Sequence, residues 1–179
     1  MSTTQPPQRS TTPIQTIVIK ILRGAAAGIA WCHVKVCTLG FPHVLLTYVF
    51  QDPPFFTILY TEQGMIHADI ASRNFLLDSV FNCAAADFGL SLWLPLMQQS
   101  IKNSQPKPVT WSAPETLSMG VYSKASDVYM FGIFIWEVFA RTAPYSRTLL
   151  YAQFKTTGDW GPLTSAIIDG MRPKILDEW

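Results

Sequence analysis

The chain has 179 residues, 49% apolar and 13% aromatic, which supplies one folded domain with a core and excludes a disordered chain. Net charge is +1 and only 14% of residues are charged, so no basic face for nucleic acid is indicated and an apolar surface is expected. The three cysteines, Cys32, Cys37 and Cys83, follow no disulfide or zinc spacing. A reducing, cytoplasmic setting is the expectation.

Residues 1–13, MSTTQPPQRSTTP, are polar and proline-rich without an apolar run, and read as a disordered tail rather than a signal peptide. No stretch reads as a membrane span. Ile14, Ile17, Val18, Ile21, Leu22, Ala25 and Ile29 recur at helical spacing, predicting an amphipathic helix from Pro13 to about Lys35. Between Val36 and Gln63 the texture changes: VLLTYVF and FFTILY flank QDPP and read locally as a β-hairpin. Met65–Asp78 reads as a polar loop entering a short strand, and Asn82–Ala86 as a second strand. Residues 91–112 hold Pro95, Pro106 and Pro108 and read as a long loop. A short helical turn follows Ala113-Pro114-Glu115. Ser126 is then the predicted N-cap of VYMFGIFIWEVFA, a helix apolar on nearly all faces and so expected at the centre of the core. A further helix near Thr148–Lys155 and a turn at Gly170–Pro173 complete the pattern.

Three short blocks carry the chemistry. His67-Ala68-Asp69 with Asn74 gives H-x-D-x-x-x-x-N, Asp87-Phe88-Gly89 gives D-F-G, and Ala113-Pro114-Glu115 gives A-P-E. Each alone is weak, since a single Asp–Asn pair is usually a capped turn. In this order they match the second half of the protein-kinase signature set. The eighteen residues from Asp69 to Asp87 leave room for two short strands and a turn.

From about Ile14 to Trp179 the chain therefore resembles the large, C-terminal lobe of a eukaryotic protein kinase. The implied fold is mainly α (α+β), with two short strands around the D-F-G loop. IHADIASRN looks like the H-R-D-L-A-A-R-N of tyrosine kinases, with Ala71 where serine/threonine kinases carry Lys. The run from Lys107 to Glu115 is similar to their P-V-K-W-x-A-P-E. Ser126–Gly132 resembles S-D-V-W-S-F-G, with Trp136-Glu137 following. The lean is tyrosine-kinase-like, with the choice of substrate hydroxyl left open.

The resemblance implies transfer of the ATP γ-phosphoryl group to a hydroxyl of a protein substrate. Asp69 would accept or orient the hydroxyl proton, and Arg73 would help position substrate or phosphate. Asn74 and Asp87 would offer hard oxygens to Mg²⁺ bridging the nucleotide phosphates. Asp127 would anchor the catalytic-loop backbone, while His67, Phe88, Gly89 and Glu115 would be structural. His33 and His43 have no partner pattern. Trp111 and Trp136 read as core packing, and Ser91, Ser100, Ser104 and Thr110 as ordinary loop hydroxyls.

The departures are equally specific. No G-x-G-x-x-G and no V-A-I-K-type strand stands ahead of the catalytic loop, so the family's small lobe is missing from these residues. Lys20 in TIVIKIL imitates that strand, but the helical reading suits its surroundings better. Ala68 replaces the H-R-D arginine, which removes a phosphate–arginine lock on the loop after D-F-G. No tyrosine lies between Asp87 and Glu115. The arginine that pairs with the A-P-E glutamate in the family has no counterpart, which would leave Glu115 costly if buried and charged.

Residues 36–63 read as an insertion or a retained intron. Without them Lys35 meets Gly64, and the chain runs from a helix through a short Lys-Gly turn into I-H-x-D, as in the family. Val36-Cys37 permits a splice donor and a Gln63 codon an acceptor. Three readings follow for the whole: an incomplete kinase domain, a non-catalytic pseudokinase-like module that binds a partner through the face a small lobe would cover, or a translation that never folds.

Overall fold

The computed structural model describes residues 13–34, 64–94 and 98–175. The predicted tail up to residue 12 and the predicted insertion at 36–63 lie outside the described residues.

The helical spacing of the first apolar run produces α1, Pro13–Val34. Ala25, Ile29 and Cys32 form its buried face, and the first two pack with Ile70, Cys83, Met130 and Phe134. Gly24 and Gly28 let β3 (Cys83–Ala85) come close. A Cβ at Gly24 would stand 2.8 Å from the Cys83 carbonyl oxygen, and one at Gly28 would stand 3.3 Å from the Ala85 Cβ. Lys20 lies on this helix and donates to the Val80 carbonyl at 2.7 Å, so TIVIKIL is not a strand. Among the described residues α1 alone is long and apolar enough, by length and composition, to cross a membrane. Here its inner face is spent on β3 and the core.

Among the described residues three antiparallel pairs of very short strands follow. β1 (Met65–Ile66) pairs with β4 (Leu92–Trp93), with Met65 opposite Trp93. β2 (Phe75–Leu77) pairs with β3, Phe75 opposite Ala85 and Leu77 opposite Cys83, which gives the two strands expected ahead of Asp87. β5 (Ser100–Lys102) pairs with β6 (Val121–Ser123). Residues 91–112, expected as one long loop, thus contain β4 and β5. Strands of two or three residues are too short for alternation to signal them, and their partners lie far away in the chain.

Pro114 opens α2 (Pro114–Met119), and Gly120 closes it in the left-handed conformation at φ 66°. The core helix α3 spans Lys124–Ala140. Its N-cap is Ser123, not Ser126: Ser123 Oγ accepts from the Ser126 amide at 3.1 Å and Ser126 Oγ from the Ser123 amide at 3.0 Å. Ser126 is the third helical residue of that reciprocal box. Met130, Ile133 and Phe134 are buried, but Val128 is 62% and Phe139 44% exposed, so α3 is not enclosed on nearly all faces. Apolar composition marks what a helix can bury, not what covers it. Thr148 caps α4 (Leu149–Thr157). A helix that the sequence reading lacked, α5 (Gly161–Ile168), sets Leu163 and Ile167 against Tyr145.

Candidate active site

The segment between β1 and β2 is held from beneath by α3. Asp127, in the first turn of that helix and fully buried, accepts the His67 amide at 2.8 Å and the Ala68 amide at 2.9 Å. Both donors point one way because Ala68 takes the left-handed conformation, φ 63°, which costs a non-glycine residue about 1–2 kcal/mol. A third donor was not foreseen: His33 Nε2 donates to Asp127 Oδ2 at 2.8 Å. His33, expected to have no partner, therefore ties the end of α1 to the start of α3.

His67 is buried, and its Nε2 lies 3.2 Å from the Ala86 carbonyl while Nδ1 accepts the Asp69 amide at 3.4 Å. Burial holds the imidazole below its ordinary pKa, against the pull of the Asp127 carboxylate, the Ala86 bond and Asp69. It stays neutral and structural. Its ring meets Phe88 at 4.9 Å between centroids.

Asp69 is buried at the mouth of the segment and makes two kinds of contact. Arg73, one helical turn later, pairs with Oδ1. Asn74 Nδ2 donates to Asp69 Oδ2 at 2.7 Å and to its carbonyl at 2.6 Å. With both amide hydrogens spent on Asp69, Asn74 keeps Oδ1 as an acceptor. The Ala86 amide donates to the Asn74 carbonyl at 2.8 Å, which brings the residue before Asp87 against the residue that Asp69 holds. Asp87 is exposed, with φ 58°, and its Oδ1 takes the Gly89 amide at 3.2 Å. Asp69, Arg73 and Asn74 are thus in direct contact, and Asp87 follows the residue that Asn74 holds at the open end of the β2–β3 hairpin. Glu115 stands apart, half-buried in the first turn of α2, so the expected cost of a fully buried charge does not arise.

The donor set is chemically hard: an amide oxygen from Asn74 and a carboxylate from Asp87. No cluster of three or more His, Cys, Asp or Glu exists among the described residues. Two protein oxygens suit Mg²⁺, which keeps waters and takes phosphate oxygens as further ligands. Cys32 and Cys83 offer no nucleophile, because burial pushes both thiols up to about 11. A groove of about 1070 Å³ runs along α1 and β3, past Gly24, Gly28, Trp31 and Ala85, to Asp87 and Phe88.

Sequence reasoning missed a second anchor. Glu137, quoted only as part of a motif, accepts the Ser72 amide at 3.0 Å, the Ser72 hydroxyl at 2.8 Å and the Trp111 indole at 2.9 Å. Trp111 is half-buried and hydrogen-bonded rather than simple packing, and Trp136 Nε1 donates to the Lys174 carbonyl at 2.9 Å. A glutamate one turn from the end of an apolar helix was the available signal, since a carboxylate there needs donors from elsewhere.

Comparison with known proteins agrees with this geometry. A family model described as protein tyrosine and serine/threonine kinase matches residues 59–158, more than half of the chain. The chain belongs to that family, and its helix-rich fold with a few short strands is kinase-like. That family is one of protein kinases, which use ATP and Mg²⁺. The relatives it resembles are tyrosine kinases. It is 34% identical over 122 residues to the human non-receptor tyrosine-protein kinase TNK1, covering 59% of this chain and 18% of the relative. To human tyrosine-protein kinase Srms it is 44% identical over 78 residues, 44% of this chain and 16% of the relative. To rat ephrin type-A receptor 8 it is 39% identical over 82 residues, 45% of this chain and 22% of the relative. The matched stretches thus span less than a quarter of each relative.

Proposed function

We propose that this chain is the large-lobe portion of a tyrosine-kinase-like domain, and that its site transfers the ATP γ-phosphoryl group to a hydroxyl of a protein substrate. The observation that supports this reading is the contact of Asp69 with Arg73 and Asn74, next to the Ala86 backbone that leads into Asp87. The Asp69 carboxylate orients the substrate hydroxyl and takes its proton as the oxygen attacks. Arg73 restrains that carboxylate by pairing with one oxygen, and Asn74 restrains it by donating to the other. Asn74 Oδ1 and the Asp87 carboxylate would hold Mg²⁺, which would supply charge neutralisation on the phosphates. Asp127 and His67 keep the loop in shape and touch neither nucleotide nor substrate. A cytoplasmic setting fits the non-receptor tyrosine kinases among the relatives.

A second reading has its own support. Ala68 stands where the family has arginine, and the 179 residues hold no glycine-rich loop or partner lysine ahead of Asp69. Under that reading the chain is a non-catalytic module, and a partner protein covers the groove along α1 and β3.

The test is phosphoryl transfer from Mg·ATP to tyrosine- and serine-containing peptides by the protein carrying this segment, alongside Asp69→Asn and Asp87→Asn. A wild-type rate that both variants abolish supports the enzyme. A rate that survives both substitutions refutes the site, and no wild-type rate favours the module.

A further inference from the structure

The loop after Asp87-Phe88-Gly89 must be held against the catalytic loop if a substrate is to meet Asp69. In the family resemblance that hold depends on an arginine at the position of Ala68, and here a methyl group stands there. Yet the two loops are joined. The Glu137 carboxylate takes two donors from Ser72 and one from Trp111, so a single side chain of α3 binds the catalytic loop and the 108–112 segment together. Between those two donors sits Arg73, whose guanidinium carbon lies 4.7 Å from the centre of the Trp111 ring and whose fork pairs with Asp69. The contacts run Arg73, Trp111, Glu137, Ser72 and close through the peptide bond from Ser72 to Arg73, which in turn holds Asp69.

Its placement on α3 matters. Asp127 and Glu137 are ten residues apart, about 15 Å along the helix axis. One holds the loop at His67 and Ala68, the other at Ser72, and Asp69 lies between the two anchors. The Ser72 hydroxyl is this chain's own contribution, because the motif it resembles, H-R-D-L-A-A-R-N, has alanine at that position. It converts a single backbone hold into a two-pronged one, with each carboxylate oxygen engaged.

We propose that Glu137 is a positioning residue that, with Ser72, clamps the 108–112 segment to the catalytic loop without a phosphate, and so sets the Asp69–Arg73 pair in place of an arginine at Ala68. The role in phosphoryl transfer rests on the kinase reading, but the clamp itself is read without turnover. The experiment is hydrogen exchange by mass spectrometry on the full 179-residue chain, comparing wild type with Glu137→Gln, Ser72→Ala and Ser72→Thr. Hydrogen bonds to a carboxylate are the strong ones, so Glu137→Gln is expected to speed exchange about tenfold in peptides covering 70–75 and 108–112. Peptides over 64–68, held by Asp127, keep their protection. Ser72 is exposed, so Ser72→Ala leaves the fold intact and gives a smaller rise of about threefold in the same peptides, which Ser72→Thr restores. Unchanged exchange in both segments, or a rise spread evenly over the chain, overturns the clamp. A missing transfer rate with the exchange pattern intact overturns only the kinase reading.

Discussion

His33 Nε2 and Asp127 Oδ2 lie 2.8 Å apart and join the last turn of α1 to the first turn of α3. The same carboxylate holds the His67 and Ala68 amides, so three donors from two distant parts of the chain meet on one fully buried group. Removing it strands buried N–H groups rather than one contact. Asp127→Ala is expected to lower stability by about 3–5 kcal/mol, read as a shift in the urea midpoint. Asp127→Asn keeps one acceptor and should cost less. His33→Leu removes a half-buried donor and should cost about 1 kcal/mol. Equal effects from all three variants would contradict this division.

His67 gives the fold an acid-side weakness. Its folded pKa is depressed, chiefly by burial, so on acidification the unfolded chain takes the proton first. The stability tied to neutral His67 is therefore complete above the unfolded value of about 6.5 and is lost as the pH falls from there toward the folded value. Unfolding free energy measured between pH 7.5 and 5 should fall with acid in wild type, and more shallowly in His67→Gln. Parallel pH profiles would remove His67 from this account.

Much of this was legible in the sequence because the informative residues lie close together. The period of α1, the proline and glycine that bound α2, and the spacing of Asp69, Asn74 and Asp87 are all local patterns. What escaped is what long-range pairing decides. The partners of His33 and Glu137 lie 94 and 65 residues away, so no window contains both ends of either bond. Strands β4 and β5 exist only because β1 and β6 pair with them. The true cap of α3 was within reach: Ser123 and Ser126 are three apart and each suits the N-cap position, but only the backbone geometry says which one starts the helix.

Two glycines of the helices should respond in opposite directions to the same substitution. Gly24→Ala would drive a Cβ to 2.8 Å from the Cys83 carbonyl oxygen, a backbone atom that cannot swing aside. The helix α1 must then back away from β3, at an expected loss of about 1–3 kcal/mol. Gly132, inside α3, is exposed and has no atom within 4 Å of such a Cβ. Gly132→Ala should stabilise by about 0.8–1 kcal/mol through helix propensity alone. Thermal denaturation of the two variants settles the pair, and destabilisation by both would mean that the open side of α3 is filled.

Nucleotide affinity should be poor in the 179-residue chain itself. Asn74 and Asp87 contribute two metal ligands, and a metal so held depends on phosphates that other groups must place. The 179 residues supply neither a glycine-rich loop nor a lysine for that task. Calorimetric titration with Mg·ATP should show binding weaker than about 1 mM, on the scale where no covering loop contributes. Micromolar affinity would mean that another part of this chain cradles the phosphates.

Deleting residues 36–63, so that Lys35 joins Gly64, should leave the fold intact and make it more stable. The described residues on either side of the segment stand close. A Cβ at Gly64 would lie 3.3 Å from the His33 carbonyl oxygen, although 30 residues separate the two positions in the chain. Gly64 is itself fixed, because its carbonyl accepts the Leu94 amide at 2.9 Å and β1 begins at the next residue. After the deletion Val34 and Lys35 join His33 to Gly64, and two residues readily span so short a gap, since each reaches about 3.3–3.6 Å. Closing the excursion removes loop entropy that folding otherwise costs, worth about 1–2 kcal/mol for a shortening of this size. The urea midpoint of the shortened chain should rise, and the Asp127-held amides of His67 and Ala68 should exchange no faster than before. Spliced transcripts that lack these codons would establish the intron. A shortened chain that fails to fold, together with transcripts that uniformly keep the codons, would show that the segment belongs to the domain.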